Sequence, residues 1–343
     1  MTFAPDNELP GLFTAGLQMP ISGCAFTPDG ETAAYALGDG TVALFSLATG
    51  QTVRAPAHQG AALCLIGTPR GFLTGGDDGR IVLTDPEGGV RQLAVFPGQW
   101  IEHVAASETG TVLAASVGRQ VVLLGDGDAS PSLLPELPSS IGGLAASPDG
   151  RALAVAHYDG VTVYAPPRPA ATGTTFEGPG SNLTLVFSPD GSKMACATQD
   201  KSVRVYDLDQ GTGYLLEGYP SKVRSLSFAS DGDTLWTGGE QAFVGWPVDA
   251  DVDPSAREAL VFGAFEHGLL GTVAAHPALP LVAGGFDGGV IFLGSAERKG
   301  AAPLLFVEGR HISCLAWSPD GRRLAGGTDG GGAFFMDLAR AAE

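Results

Sequence analysis

Phe187-Ser188-Pro189-Asp190-Gly191 stands between two short apolar runs, Leu183-Thr184-Leu185-Val186 before it and Met194-Ala195-Cys196-Ala197-Thr198 after it. It reads as a tight turn. Proline presets φ, aspartate bonds its own backbone, and glycine accepts positive φ. The phrase returns as Phe26-Thr27-Pro28-Asp29-Gly30, Ala146-Ser147-Pro148-Asp149-Gly150 and Trp317-Ser318-Pro319-Asp320-Gly321. A turn repeated at a fixed spacing marks a repeat architecture, in which each unit buries its apolar face against the next. The turn glycines or their stand-ins are Gly30, Gly71, Gly110, Gly150, Gly191, Gly232, Pro280 and Gly321, with steps of 41, 39, 40, 41, 41, 48 and 41 residues.

Each unit reads alike. A first strand precedes the turn and a second follows it. A short hairpin turn such as Gln199-Asp200-Lys201-Ser202 leads to a third strand, Val203-Arg204-Val205-Tyr206-Asp207-Leu208, and a looser fourth, Tyr214-Leu215-Leu216-Glu217. Other hairpin turns carry Asp39-Gly40, Asp78-Gly79, Asp159-Gly160, Asp287-Gly288 and Asp329-Gly330, and Asp-Gly between apolar runs is a strong hairpin signal. Second strands hold small residues, such as Gly75-Gly76, Gly284-Gly285 and Gly326-Gly327, which let neighbouring sheets approach. A period near 40 in all-strand units predicts an all-β fold, a β-propeller of four-stranded antiparallel blades. Eight units predict eight blades, in a single domain over residues 1–343.

The unit from Val223-Arg224-Ser225-Leu226-Ser227-Phe228 through Asp231-Gly232 to Leu235-Trp236-Thr237-Gly238-Gly239 carries a family resemblance. Over residues 11–338 the chain resembles the WD-repeat β-propellers. It departs from them in two ways. No third strand ends in Trp-Asp, the nearest being Tyr206-Asp207, Met336-Asp337 and Thr84-Asp85, and the Gly-His element is missing, with His58 nearest in position. The family's His–Ser/Thr–Asp–Trp hydrogen-bond network is therefore expected to be mostly incomplete. The resemblance also implies that the N-terminus supplies the outer strand of the last blade. No fourth strand follows Phe334-Phe335-Met336-Asp337-Leu338, and Gly11-Leu12-Phe13-Thr14-Ala15-Gly16 is apolar and unassigned. Residues 11–16 are expected to close the ring beside 333–338, leaving 339–343 as a short tail.

Composition bounds the function. The chain has 19 basic and 37 acidic residues, a net charge of −18. Phosphate binding needs a basic footprint, so nucleic acid is not the expected partner, and neither is an anionic membrane surface. No apolar run approaches the ~18 residues of a membrane span. The start, Met1-Thr2-Phe3-Ala4-Pro5-Asp6, lacks the basic and apolar regions of a secretory signal. Cys24, Cys64, Cys196 and Cys314 all fall inside strands, as reduced thiols of a cytoplasmic protein would.

Candidate chemistry is sparse. Asp249, Asp251 and Asp253 have the alternate spacing that opens a calcium loop, but Pro254 follows and the glycine at the sixth position is lacking. Cys64, His103 and Cys314 share one first-strand register, a conceivable metal set. The same register also holds Gly23, Gly143, Thr184, Ser225 and Thr272, so it selects small or polar residues. A G-x-S-x-G elbow is absent, and Gly326-Gly327-Thr328-Asp329-Gly330-Gly331-Gly332 lacks the lysine of a phosphate loop. Propeller lactonases and hydrolases, by resemblance, ring a divalent ion with carboxylates, whereas first strands here contribute Glu102 and little else. A quinone enzyme would need a recurrent tryptophan pattern, and the chain has four tryptophans. A binding module without cofactor is the expectation, with the channel enzyme as its alternative.

By the family's geometry, the fourth-to-first and second-to-third connections share one face and the channel mouth. Trp100, Arg119, Tyr158, Tyr219, Phe286, Arg310 and His311 fall in those connections. Aromatic side chains and arginine are the groups interfaces favour. The expected function is a cytoplasmic scaffold that binds a protein or peptide partner there.

Overall fold

A computed structural model describes residues 3–6, 10–125, 130–166, 173–249, 258–265, 268–307 and 311–341. The repeated turn forms as its residues dictate. In the central copy the Gly191 N–H donates to the Ser188 carbonyl at 2.9 Å. Ser188 Oγ donates to Asp190 Oδ1 at 2.6 Å and accepts the Lys193 N–H at 2.9 Å. The same bonds recur from Thr27 to Asp29, from Ser147 to Asp149 and from Ser318 to Asp320. The turn glycines have φ of +71°, +75°, +74° and +71° at Gly30, Gly150, Gly191 and Gly321, a region where a side chain is strained. The hydrogen bonds from Thr27 and from the Glu31 N–H hold Asp29 below the ordinary carboxylate range.

The described strands form seven hydrogen-bonded sheets, all antiparallel: five of four strands, one of five and one of six. The first sheet is typical, with Ile21–Phe26, Thr32–Leu37, Thr41–Ser46 and Thr52–Pro56 in consecutive order. Counted as sheets, the propeller is seven-bladed, which corrects the expectation of eight blades. The cause lies in the stretch 153–216, where two sequence units share the six-stranded sheet. Leu153–Tyr164 runs through its own hairpin, and Thr174–Phe187 runs unbroken for 14 residues. Its first half pairs with Leu153–Tyr164, from Val163↔Thr174 to Gly160↔Glu177. Its second half pairs with Lys193–Thr198, ending at Phe187↔Met194. Gly178-Pro179-Gly180 reads as a boundary, since glycine and proline usually interrupt a strand. Buried Asn182 overrides that reading. Its amide nitrogen reaches the carbonyls of His157, Gly178 and Gly180 at 3.0, 2.6 and 3.2 Å, so the backbone bends without leaving the sheet.

Neighbouring sheets lock through a recurring notch. The strand after the turn carries a glycine, and an isoleucine at the head of the next sheet fills the space above it. A Cβ on Gly75 would lie 2.4 Å from Ile101, one on Gly285 2.6 Å from Ile312, and one on Gly327 2.5 Å from Ile21. The three isoleucines are buried. The last pair spans the two ends of the chain.

That seam carries further contacts. Leu12–Gly16 pairs antiparallel with Gly332–Asp337, from Leu12↔Met336 to Gly16↔Gly332. Ala4–Pro5 adds a fifth strand outside it, which the sequence pattern does not foretell. Phe3 and Phe13 lie 4.6 and 5.7 Å from Phe45, and Phe335 lies 5.3 Å from Phe45 and 5.8 Å from Phe26. Tyr35 Oη donates to the Phe334 carbonyl at 2.7 Å, and Arg323 donates to the Gly30 carbonyl at 2.9 Å. Leu338–Ala341 is a short helix at the end.

One sheet keeps most of the internal network that its sequence lacks in name. His58 Nε2 bonds Thr74 Oγ1 at 2.9 Å and Nδ1 bonds Asp78 Oδ1 at 3.1 Å, while Asp78 also accepts the Gln59 N–H at 2.8 Å. In the sheet of Leu226–Phe228, a tyrosine occupies the histidine's place. Tyr219 Oη donates to Thr237 Oγ1 at 3.1 Å and accepts Trp246 Nε1 at 2.7 Å. Burial holds His58 below the ordinary imidazole value, against the Asp78 carboxylate, which pulls it up. Burial also lowers His103 and His276.

Three outcomes are expected. Deleting residues 1–17 removes a paired strand and buried Phe3, Leu12 and Leu17, each side chain worth about 1.5–3 kcal/mol. The thermal midpoint should fall by about 10 °C or more; a shift of a degree or two in a melting curve would contradict the closure. Histidines lowered by burial take up protons more readily in the unfolded chain, so stability is lost as pH falls through about 6.5. Urea unfolding should give a lower free energy at pH 5.5 than at pH 7.5. His58→Ala should cost about 1–3 kcal/mol at the higher pH by leaving a space in the sheet and removing one hydrogen-bond partner each from Asp78 and Thr74.

Candidate interaction surface

The connections of one face hold most of the candidate residues, and local packing decides which of them project. The carbonyl groups of Gly79 and Gly76 tie down the stretch from Phe96 to Ile101: Phe96 N–H donates to the Gly79 carbonyl at 2.8 Å and Ile101 N–H to the Gly76 carbonyl at 3.0 Å. Ile101 is driven into its glycine notch, so its neighbour Trp100 is turned out and is 63% exposed. Arg119 sits on the next hairpin, where Nε donates to Glu136 Oε1 at 2.9 Å and a terminal nitrogen donates to the Pro138 carbonyl at 3.3 Å. Tyr158 follows the strand alternation. His157 points inward and bonds Thr162 Oγ1 at 2.9 Å, while Tyr158 is 55% exposed and its N–H donates to Ser139 Oγ at 2.8 Å. Gln99 lies against Gly118, so the Trp100 connection meets the Arg119 hairpin.

Two of the sequence candidates are not on the surface. Phe286 is fully buried, with ring centroids 5.3 Å from Phe265 and 5.5 Å from Phe292. It ends the strand Leu281–Phe286 and is not part of the exposed turn. Tyr219 is buried because it fills the histidine position of the internal network. Both are core residues, which corrects their assignment to a contact surface. Arg310 lies outside the described residues. His311 is exposed, with Nδ1 3.3 Å from Asp287 Oδ1 and its N–H donating to Asp329 Oδ1 at 3.2 Å.

His311 stands at the edge of a funnel of about 980 Å³ at the channel mouth. Lys201, Lys222 and Arg224 line it together with Asp287 and Asp329. Sequence reasoning missed these three cations. Their signal was available: all lie in the connections of the face already singled out, in a chain with 19 basic residues against 37 acidic ones.

Cys64, His103 and Cys314, which share one register, are not grouped around a common point. Cys64 Sγ contacts the Ile101 carbonyl at 3.4 Å, and burial pushes its thiol up to about 12. Cys314 neighbours Cys24, whose thiol is pushed up by hydrogen bonding with Cys314 and by burial. Among the described residues no three His, Cys, Asp or Glu side chains are grouped to hold a metal ion. Residues 250–257, which include Asp251 and Asp253, lie outside the described residues.

Two stretches, residues 172–207 and 303–331, match the family model described as WD domain, G-beta repeat. The chain is 30% identical over 135 residues to WD repeat-containing protein SL1-17 of Schistosoma mansoni, covering 38% of this chain and 45% of that protein. It is 29% identical over 147 residues to WD repeat-containing protein VIP3 of Arabidopsis thaliana, covering 38% and 46%. It is 23% identical over 172 residues to a guanine nucleotide-binding protein subunit beta of Solanum tuberosum, covering 46% and 44%. The chain thus spans somewhat under half the length of the curated relatives it matches. The matched repeats share their turn chemistry and strand order with the unmatched ones, and over these stretches the chain is similar to WD-repeat proteins.

Proposed function

We propose that the chain is a non-catalytic scaffold of one closed propeller domain that binds a protein or peptide partner on the channel-mouth face. The observation that carries this reading is the exposure of Trp100 and Tyr158 on turns whose adjacent residues are buried anchors. A rigid sheet framework that presents large amphipathic side chains to water matches how interface hot spots are built. Arg119 and His311 add polar contacts on the same face. The curated relatives support the reading: two are WD-repeat proteins, and one is by name a subunit of a larger assembly.

The charge of −18 opposes nucleic acid and anionic membranes as partners. Four cysteines that stand free in the structure support a reducing, cytoplasmic setting. Affinity purification from the native organism with quantitative mass spectrometry tests the proposal. The triple variant Trp100→Ala, Tyr158→Ala and His311→Ala should fold with an unaltered melting curve and lose its specific partners by about tenfold or more. Retention of the same partners at wild-type levels would move the site off this face.

A further inference from the structure

We propose that the wall formed by Lys201, Lys222 and Arg224 receives an anionic side chain, carboxylate or phosphoryl, from a short peptide segment of the partner. This rests on the reading of the channel-mouth face as the binding surface and says what that face selects.

The argument is one of uncompensated charge. All three cations are exposed in the funnel. Neither Lys222 nor Arg224 forms an ion pair with a described residue. Lys201 Nζ donates to the Pro220 carbonyl at 3.0 Å, a neutral acceptor that fixes the ammonium in place and leaves its charge unbalanced. The carboxylates across the funnel form no ion pair with these cations and face His311 instead, Asp329 accepting its backbone N–H and Asp287 lying 3.3 Å from its Nδ1. A cationic wall facing an anionic one orients a dipolar segment, its acidic side chain toward Lys222 and Arg224 and a basic or neutral flank toward Asp287 and Asp329.

The rest of the molecule narrows the occupant. With 37 acidic residues against 19 basic ones, the surrounding field repels an extended polyanion. That field opposes a nucleic-acid strand or a long acidic tail more than a single local negative group. A funnel of about 980 Å³ holds a few side chains of a peptide.

The test uses the full chain and a short fluorescein-labelled peptide that carries two adjacent glutamates, a nearby lysine and otherwise serine, glycine and leucine. Fluorescence polarisation at low salt should show binding that weakens as salt is raised. The matched glutamine peptide should bind about tenfold less well. A phosphoserine version separates the two sources of the anion, and the tighter of the two acidic peptides identifies the source. The variants Lys222→Glu with Arg224→Glu, and the milder Lys222→Gln with Arg224→Gln, should each lose the acidic peptide without a change in melting curve.

Equal binding of the glutamine peptide, no binding in any arm, a preference for a single-stranded oligonucleotide, or indifference to charge reversal would each overturn the inference. The two proposals fail separately. If Trp100→Ala, Tyr158→Ala and His311→Ala release the native partners while Lys222→Glu with Arg224→Glu retains them, the face stands and the cationic wall falls.

Discussion

A glycine notch that accepts an isoleucine from the neighbouring sheet is the constraint on which this ring depends. Gly75 receives Ile101, Gly285 receives Ile312 and Gly327 receives Ile21. A sheet buried on both faces gains most of its stability from apolar contact with its neighbours, and here the contact needs a missing side chain on one partner and a β-branched one on the other. The Gly327 notch joins the last sheet to the first. It works beside the strand pairing of Leu12–Gly16 and the cluster of Phe3, Phe13, Phe26, Phe45 and Phe335. Closure therefore removes the free edge that the final sheet would otherwise present.

The notch also sets the surface. Ile101 and Ile312 enter the core at the channel mouth, and the residues next to them, Trp100 and His311, are turned to solvent as a result. The packing between sheets and the exposure of Trp100 and His311 are one arrangement. Function on such a scaffold is carried by its connections, and the sheets supply rigidity.

Much of this was legible in the sequence. The Ser-Pro-Asp-Gly turn is a local device, fixed by residues within six positions of one another, and the structure reproduces it bond for bond in four copies. What depended on distant residues was less legible. A buried asparagine at 182 holds Gly178-Pro179-Gly180 in a sheet, and periodicity has no access to that bond. Thus eight sequence units lie in seven sheets. Phe286 and Tyr219 sit one or two residues from turns, where the inward or outward sense of a side chain is settled by tertiary packing. Tyr219 shows the second difficulty: a hydrogen-bond network can survive with tyrosine in place of histidine, and a motif search for Gly-His and Trp-Asp passes over it. The cations of the funnel were hidden by a strongly negative total charge, which says nothing about how the minority charges are distributed.

The most direct measurement of the central claim is hydrogen–deuterium exchange at the seam, read by mass spectrometry on the intact chain. If the ring is held shut as described, peptides over residues 12–16 and 332–337 should exchange as slowly as the middle strands of the first sheet, residues 32–37 and 41–46, because all of them open only with the whole propeller. Rapid exchange confined to the two terminal segments, with the other sheets protected, would show that the ends are not locked together and would contradict the account.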